Sequence, residues 1–388
     1  MSRLDLGLPR RLALVVEPLP GEALLSWLNI MSAEHGGLPR LRTAQITGVL
    51  AGDESRHALG TGSALYYPHA AKVARMRAAA ALTELQVTNM LWHRFRGTAL
   101  YPFGPQWVKE TSRTSLLKWW IDPNALRLCP RCVDESGGRW LLAWQLPWVF
   151  VCLTHRCYLV GACPVCGRAF TAHGTNPLHG APHYPPLVNG MRQRQCGARL
   201  RELPAVPAQD DELLALQQRL WDALHAPAEG HAESFGLFQD LWAMACLALF
   251  TAHPEDLSGA DTVVREAFAA FCRTHDGAAG RRFTASELRT PPVLVQTAVI
   301  RTAARIVFAE DPLAVADTVA GLSRDPHSAA IIALRKAWNV RPLFLVTRHT
   351  TARIKAVMDV ADYSGSGHAP PPKRRSRTTT FATDLGER

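Results

Sequence analysis

The spacing of hydrophobic residues along this chain predicts a series of helices that are short before residue 125 and longer after residue 210. In residues 22–31 the apolar side chains fall on one broad helical face, which Gly36 and Gly37 would end. Further short helices are predicted over 43–50, 68–82 and 84–95, with Thr83 as the N-cap of the last. Short helices joined by tight turns favour a helix-turn-helix-like unit.

The C-terminal part has helical periodicity throughout. Residues 211–224 have one apolar face, whereas residues 235–251 are apolar almost all round, which is typical of a buried helix. Other predicted helices in this part cover 261–275, 284–288, 297–308, 327–338 and 342–358. The final residues, 363–388, are rich in Pro, Gly, Ser, Thr and Arg, so we predict a disordered basic tail.

Between the two helical parts, the cysteines are spaced as metal ligands. Seven of the nine cysteines fall between residues 129 and 196, and five of them form, together with His155, three pairs that have two residues between the ligands. The pairs are Cys129 with Cys132, Cys152 with His155, and Cys163 with Cys166, followed by a single Cys196. This spacing lets both members of a pair reach one tetrahedral ion, so the segment predicts structural zinc.

The simplest pairing completes one zinc site and leaves a second site one ligand short. Cys129, Cys132, Cys152 and His155 form a full Cys3His set, whereas Cys163, Cys166 and Cys196 supply three thiolates. The fourth ligand of the second site stays open among His183, which we favour, His179, His173, Cys157 and a water molecule. Cys246 and Cys272 lie in apolar helices and are predicted to be core thiols.

These patterns together predict a mainly α chain with three domains. Residues 1–124 would form a helical, helix-turn-helix-like domain, and residues 125–203 a zinc-binding domain of zinc-ribbon or treble-clef type. Residues 204–362 would form an all-helical domain ahead of the tail. Trp140, Trp144 and Trp148 recur every four residues, and we predict that they fill the zinc domain's core rather than stack on bases.

Composition adds a preference for nucleic acid. The net charge is +10, and residues 72–127 carry nine basic and three acidic side chains with aromatic residues between them. Residues 335–358 carry six basic side chains and no acidic one. The candidate DNA contacts are Arg75, Arg77, Arg94, Arg96, Arg192, Arg194, Arg348, Arg353 and Lys355. The alternative is an ordinary solvated helix face over an aromatic core.

Other function classes have little support in the sequence. The N-terminus has no long apolar run of a signal peptide, and the apolar stretches are too short to cross a bilayer, so we expect a cytoplasmic protein. The chain has no Gly-x-Ser-x-Gly, phosphate-loop, His-Glu-x-x-His or zinc-deaminase motif, so an enzyme is not expected. A RING-like ligase domain is disfavoured because the final Cys-x-x-Cys pair is missing.

The ordered set of motifs resembles the TniQ/TnsD family of transposition target-selection proteins. It begins with Pro-Leu-Pro-Gly-Glu-Ala-Leu-Leu-Ser-Trp-Leu at 18–28 and continues with the ligand pairs, Trp140 and Trp144, and the closing Cys196-Gly197. The resemblance covers about residues 15–200. The chain differs from the family at Arg194, where the family often has another cysteine. This difference leaves the fourth ligand of the second zinc site undecided.

The resemblance implies a bacterial, nucleoid-associated adaptor without transposase activity. Such a protein would select a site on double-stranded DNA and recruit an AAA+ ATPase, which in turn brings the transposase. Some relatives are coupled to a CRISPR effector, so that or another targeting protein is an implied partner, and a homodimer stays open. The seven thiol and histidine ligands named above carry over as zinc ligands. The alternative is a zinc-containing transcription regulator, which needs the same basic helices but no transposition partners.

Overall fold

We analysed the fold in a computed structural model. It describes residues 9–51, 65, 67, 69–100, 121, 125–171, 202–276, 291–311, 351, 352 and 354. Helices dominate these residues, and the strands β1 (Val151–Cys152) and β2 (Cys157–Tyr158) form a small antiparallel hairpin. The prediction of a mainly α chain is therefore confirmed.

The N-terminal part consists of short helices, as the sequence predicted. They are α1 (Leu24–Glu34), α2 (Arg40–Ile46), α3 (Ala70–Ala80) and α4 (Glu84–Asn89), followed by a 3-10 turn at Trp92–Phe95. Thr83 caps α4 through a capping box, in which its side chain accepts from the Gln86 N–H while the Gln86 side chain accepts from the Thr83 N–H. The predicted cap is thus confirmed.

Two of these helices differ from the prediction. The helix expected over 43–50 instead spans Arg40–Ile46, because Pro39 precedes its first turn and Gly48 adopts a φ of +78° beyond its end. Gly48 packs on the Arg75 backbone so closely that a side chain there would clash. The helix expected over 84–95 is interrupted after Asn89, where the Met90 carbonyl accepts from the Leu24 N–H and ties this segment to α1.

The C-terminal helices follow the predicted order, although the helices predicted over 235–251 and 297–308 each begin four residues earlier. They are α6 (Asp211–Leu224), α7 (His231–Thr251), α8 (Thr262–His275) and α9 (Val293–Val307). Helix α9 packs against both α7 and α8. The predicted segments 284–288 and 327–338 lie outside the described residues, as do most of 342–358 and the tail. Among the described residues, no helix is both long and apolar enough to cross a membrane.

The central segment lies between these helical parts and contacts both. It contains the short helix α5 (Pro130–Glu135), a 3-10 turn at Leu142–Gln145 and the β1–β2 hairpin. Trp140, Trp144 and Trp148 are all buried, so they belong to the core as predicted and are not available for stacking on bases. Of the three, only Trp144 lies within the 3-10 turn.

Buried polar contacts attach the central segment to the C-terminal helices. Gln217 of α6 accepts hydrogen bonds from the backbone N–H groups of Phe150 and Val151 at 2.9 and 3.1 Å. Arg127 is fully buried and donates to the Gln296 side chain of α9 at 2.5 Å, and burial lowers its pKa to about 10. The hydrophobic core is continuous from α1 to α9. The central segment is therefore fixed to the helices by specific side chains.

Candidate metal centre

The first ligand pair lies at the start of α5. Cys129 occupies the N-cap position, Pro130 follows at the first helical position, and Cys132 lies in the first turn. The Cys129 sulfur accepts from the Cys132 backbone N–H at 3.5 Å, which is the hydrogen bond that a serine or aspartate cap would usually accept. The helix start therefore positions two sulfurs side by side and stabilises negative charge on one of them.

The second pair lies on the β1–β2 hairpin. Cys152 ends β1, His155 lies in the turn, and Arg156 takes the left-handed conformation with a φ of +45°. Cys157 then begins β2 directly opposite Cys152 in the strand register. This tight turn presents the thiol and the imidazole on the same side, toward α5.

The four predicted ligands of the first site come together. One donor atom from each of Cys129, Cys132, Cys152 and His155 lies within 4.8 Å of the others. His155 Nδ1 is 3.5, 3.2 and 3.6 Å from the three sulfurs in that order, and the Cys132 and Cys152 sulfurs are 3.6 Å apart. Ligands on one tetrahedral zinc ion lie about 3.5 Å apart for sulfur and nitrogen and about 3.8 Å for two sulfurs. The cluster thus fits a zinc ion.

The thiols of this cluster also shift one another's pKa values. Hydrogen bonds from the Cys132, Cys152 and Cys157 thiols hold the pKa of Cys129 well below its usual range. The contact with Cys129 is in turn the largest cause that raises the pKa of Cys132 and of Cys157. Neighbouring thiols thus oppose the ionisation of more than one of them. A divalent cation among the ligands would supply the positive charge that lets the other ligand thiols ionise.

A carboxylate that the sequence analysis missed completes the surroundings of His155. The Glu135 Oε1 atom lies 2.8 Å from His155 Nε2, the ring nitrogen that faces away from the thiols. Carboxylates in this position fix the orientation of a metal-binding imidazole and raise its basicity. A sequence signal existed, because Glu135 follows Cys132 by three residues and so shares its helix face. We therefore assign Glu135 as a positioning residue of this centre.

Replacing Glu135 by alanine is expected to weaken zinc binding by about 10- to 100-fold, because His155 loses the partner that orients it. Competition with a chromophoric chelator measures this affinity. Asp134→Ala is the matched control, since Asp134 is an exposed acidic residue of the same short helix. Equal zinc affinity in the two variants would show that Glu135 does not support the metal centre.

The third ligand pair forms a second turn of the same kind. The Gly167 N–H donates to the Cys163 carbonyl and the Cys163 N–H donates to the Arg168 carbonyl, both at 2.8 Å. Gly167 has a φ of +69° and occupies the position that Arg156 takes in the first turn. Cys163 is buried, whereas Cys166 is exposed. The other two predicted ligands of this site, Cys196 and His183, lie outside the described residues.

The comparison of the two turns predicts that Arg156→Gly stabilises the protein. A non-glycine residue in the left-handed region costs about 1 kcal/mol, and the exposed ion pair of Arg156 with Asp211 contributes at most about 1 kcal/mol. We expect a gain of about 0.5 kcal/mol in the free energy of unfolding, measured by urea denaturation with excess zinc. Gly167→Ala introduces the opposite change and should destabilise the fold. A loss of stability in Arg156→Gly would contradict this interpretation.

The candidate DNA contacts do not share one environment. Arg77 is exposed on α3, whereas Arg75 is half-buried and donates to the Gly48 carbonyl at 3.2 Å. Arg94 and Arg96 are also half-buried, and the Arg94 guanidinium lies 6.0 Å from the centre of the Phe95 ring. The remaining candidates, Arg192, Arg194, Arg348, Arg353 and Lys355, lie outside the described residues. Arg77 is therefore the candidate that the described structure leaves most accessible.

The motif at 18–28 has a structural role in the described fold. Glu22 is fully buried, forms an ion pair with Arg139 of the central segment, and accepts from the Ser26 hydroxyl at 2.6 Å. The Ser26 hydroxyl oxygen also accepts from the Trp140 backbone N–H at 3.0 Å. The motif thus joins α1 to the chain that leads into the hairpin. Sequence inspection alone gave no reason to connect residues more than 100 positions apart.

Comparison with known proteins finds a similar family for the N-terminal and central parts of the chain. A protein-family model described as TniQ matches residues 13–159. The match includes the N-terminal helices, the Glu22–Arg139 pair and all four ligands of the first site, and it ends before Cys163. No curated protein and no solved structure matches the chain.

Proposed function

We propose that this chain belongs to the TniQ family of transposition accessory proteins, that it has no catalytic role, and that it selects the target site for a transposon. In this role it would bind double-stranded DNA, directly or through a targeting partner such as a CRISPR effector. It would then recruit an AAA+ ATPase, which brings the transposase. The single observation that carries the proposal is the family match over residues 13–159, because it includes both the N-terminal helices and all four ligands of the first site.

The first metal centre supports an adaptor role rather than a catalytic one. Its four ligands are a complete protein set, and a closed tetrahedral shell leaves no open position for a substrate. We propose that Cys129, Cys132, Cys152 and His155 bind a structural zinc ion. We further propose a second zinc on Cys163, Cys166, Cys196 and His183, with zinc-ribbon or treble-clef geometry.

The three-domain division at residues 124 and 203 is the organisation we propose for this adaptor. In it, the N-terminal helices would contribute a helix-turn-helix-like DNA contact, and the basic residues 335–358 a further one. The charge of the chain favours such contacts, since lysine and arginine that neutralise phosphates release bound counterions. A homodimer is compatible with this arrangement.

The experiment is a transposition assay in cells that contain a marked element, its ATPase and its transposase, with and without this chain. Sequencing of the insertion sites measures both their number and their positions. We expect that omission of the chain, or Cys129→Ser, reduces insertion at the preferred site to background. Cys246→Ser is the matched control, because it alters a buried thiol outside the metal cluster. Unchanged insertion frequency and positions without the chain would reject the proposal.

Direct DNA binding is tested separately by the salt dependence of affinity. An arginine that contacts one phosphate contributes about 0.9 to the slope of log affinity against log salt concentration. Arg77→Gln is therefore expected to reduce that slope by about 1. Arg265→Gln is the control, since Arg265 is an exposed arginine on α8. If neither variant changes the slope, Arg77 does not contact DNA.

A further inference from the structure

The metal cluster contains one more thiol than the predicted zinc shell uses. The Cys157 sulfur lies 3.5 Å from the Cys129 sulfur, and the Cys157 residue is only 2% exposed. Cys157 is nevertheless outside the group of four donors that lie within 4.8 Å of one another. It therefore contacts one ligand of the centre without sharing the position of the ion.

The backbone fixes Cys157 in this place. It pairs with Cys152 in the hairpin register and forms a further bridge to Pro207 on its other side. The two flanking contacts leave the side chain little freedom other than rotation about its own bonds. Residues directly opposite in an antiparallel pair project to the same face, so Cys157 is directed, like Cys152, toward the start of α5.

The chemistry of a zinc-bound sulfur decides which atom carries the hydrogen between the two cysteines. A ligand cysteine is a thiolate and has no proton to donate. The hydrogen in the contact of Cys129 with Cys157 therefore belongs to Cys157. Cys129 also accepts from the Cys132 backbone N–H, so with zinc bound it would receive two hydrogen bonds.

We propose that Cys157 is a positioning residue of the zinc centre, whose thiol donates a hydrogen bond to the Cys129 thiolate and holds it on the metal. This inference rests on the zinc occupancy of the first site proposed above. The hydrogen bond stabilises the negative charge on a buried sulfur, so that a proton competes less well with zinc for it. Outer contacts of this kind change metal affinity by about 10- to 100-fold when they are removed.

The experiment compares full-length variants that keep or remove the donor. Cys157→Ser and Cys157→Thr retain a hydroxyl donor, whereas Cys157→Ala and Cys157→Val do not. Threonine and valine have nearly the same shape and both suit a strand, so this pair remains informative if the smaller side chains impair folding. Zinc affinity is measured by chelator competition, and the sulfur-to-cobalt charge-transfer band is recorded after replacement of zinc by Co2+.

We expect the variants without a donor to bind zinc about 10- to 100-fold more weakly than their hydroxyl counterparts. Their charge-transfer band should move to longer wavelength, because a thiolate without the hydrogen bond gives up an electron more easily. The difference between the spectra of the two variants in a pair reports on this centre, since the two chains are identical at every other residue.

Three outcomes would overturn the inference. One is equal affinity and equal band position within each pair of variants. Another is a band that loses the intensity of one thiolate in all four variants, which would make Cys157 a ligand. The third is loss of folding in all four variants while the unaltered chain binds zinc, which would give Cys157 a role in packing. Wild-type protein that contains no zinc would instead reject the zinc site itself, so the two failures are distinguishable.

Discussion

Replacing Cys129 by serine is expected to remove one of two zinc ions and to unfold the central segment. Cys129 is fully buried, caps α5 and contacts both His155 and Cys157, so its sulfur joins the helix to the hairpin. Structural zinc contributes about 10 to 16 kcal/mol of apparent binding free energy, which acts as folding free energy for the module. Near-ultraviolet circular dichroism should report the loss through Trp140, Trp144 and Trp148.

Elemental analysis of the purified protein measures the zinc content directly. We expect two zinc ions in the wild type, one in Cys129→Ser and one in Cys196→Ser. Cys246→Ser, the same change at a buried thiol of α7, should retain both ions. One ion in the wild type, lost only with Cys129→Ser, would mean that the second site has degenerated. A folded wild type without zinc would contradict the metal centre altogether.

The parts of the fold that the sequence predicted well are those with local causes. Helix α6 spans the predicted residues because its apolar face and its cap, the Asp210 side chain that accepts from the Leu213 N–H, both lie within one segment. The ligand pairs are local in the same sense, because two intervening residues already place two donors side by side. The start of α4 was also predicted from a local cause, because its cap residue Thr83 and the partner Gln86 are only three residues apart.

The parts that the sequence did not predict depend on contacts between distant segments. Glu135 orients His155 across 20 residues, and Cys157 meets Cys129 across 28. Asp261 lies at the start of α8 as predicted, but the contact of its side chain with the Tyr158 hydroxyl at 2.7 Å spans 103 residues and was not predicted. Such pairings have no periodic signal, since each is created by packing rather than by the neighbouring residues.

The second large effect is expected for Glu22→Gln, which leaves a guanidinium without its counter-ion. Glu22 is fully buried and its carboxylate accepts from Arg139, from the Ser26 hydroxyl and from the Leu19 N–H. Removing one partner of a buried ion pair typically costs about 3 to 5 kcal/mol, because the remaining charge stays desolvated. Urea denaturation with excess zinc should therefore show a large drop in the free energy of unfolding. Asp211→Asn tests an exposed pair and should cost less than about 1 kcal/mol.

A second variant shows whether the loss arises from the unpaired charge or from the shape of the site. Arg139→Met combined with Glu22→Gln removes both charges and keeps the aliphatic stem, so it should recover part of the stability that Glu22→Gln loses. Recovery would establish that the ion pair joins α1 to the chain before the hairpin. If the double variant is no more stable than Glu22→Gln, the hydrogen bonds of Glu22 to Ser26 and Leu19 carry the effect. In that case the motif at 18–28 stabilises its own turn rather than the contact with the metal-binding segment.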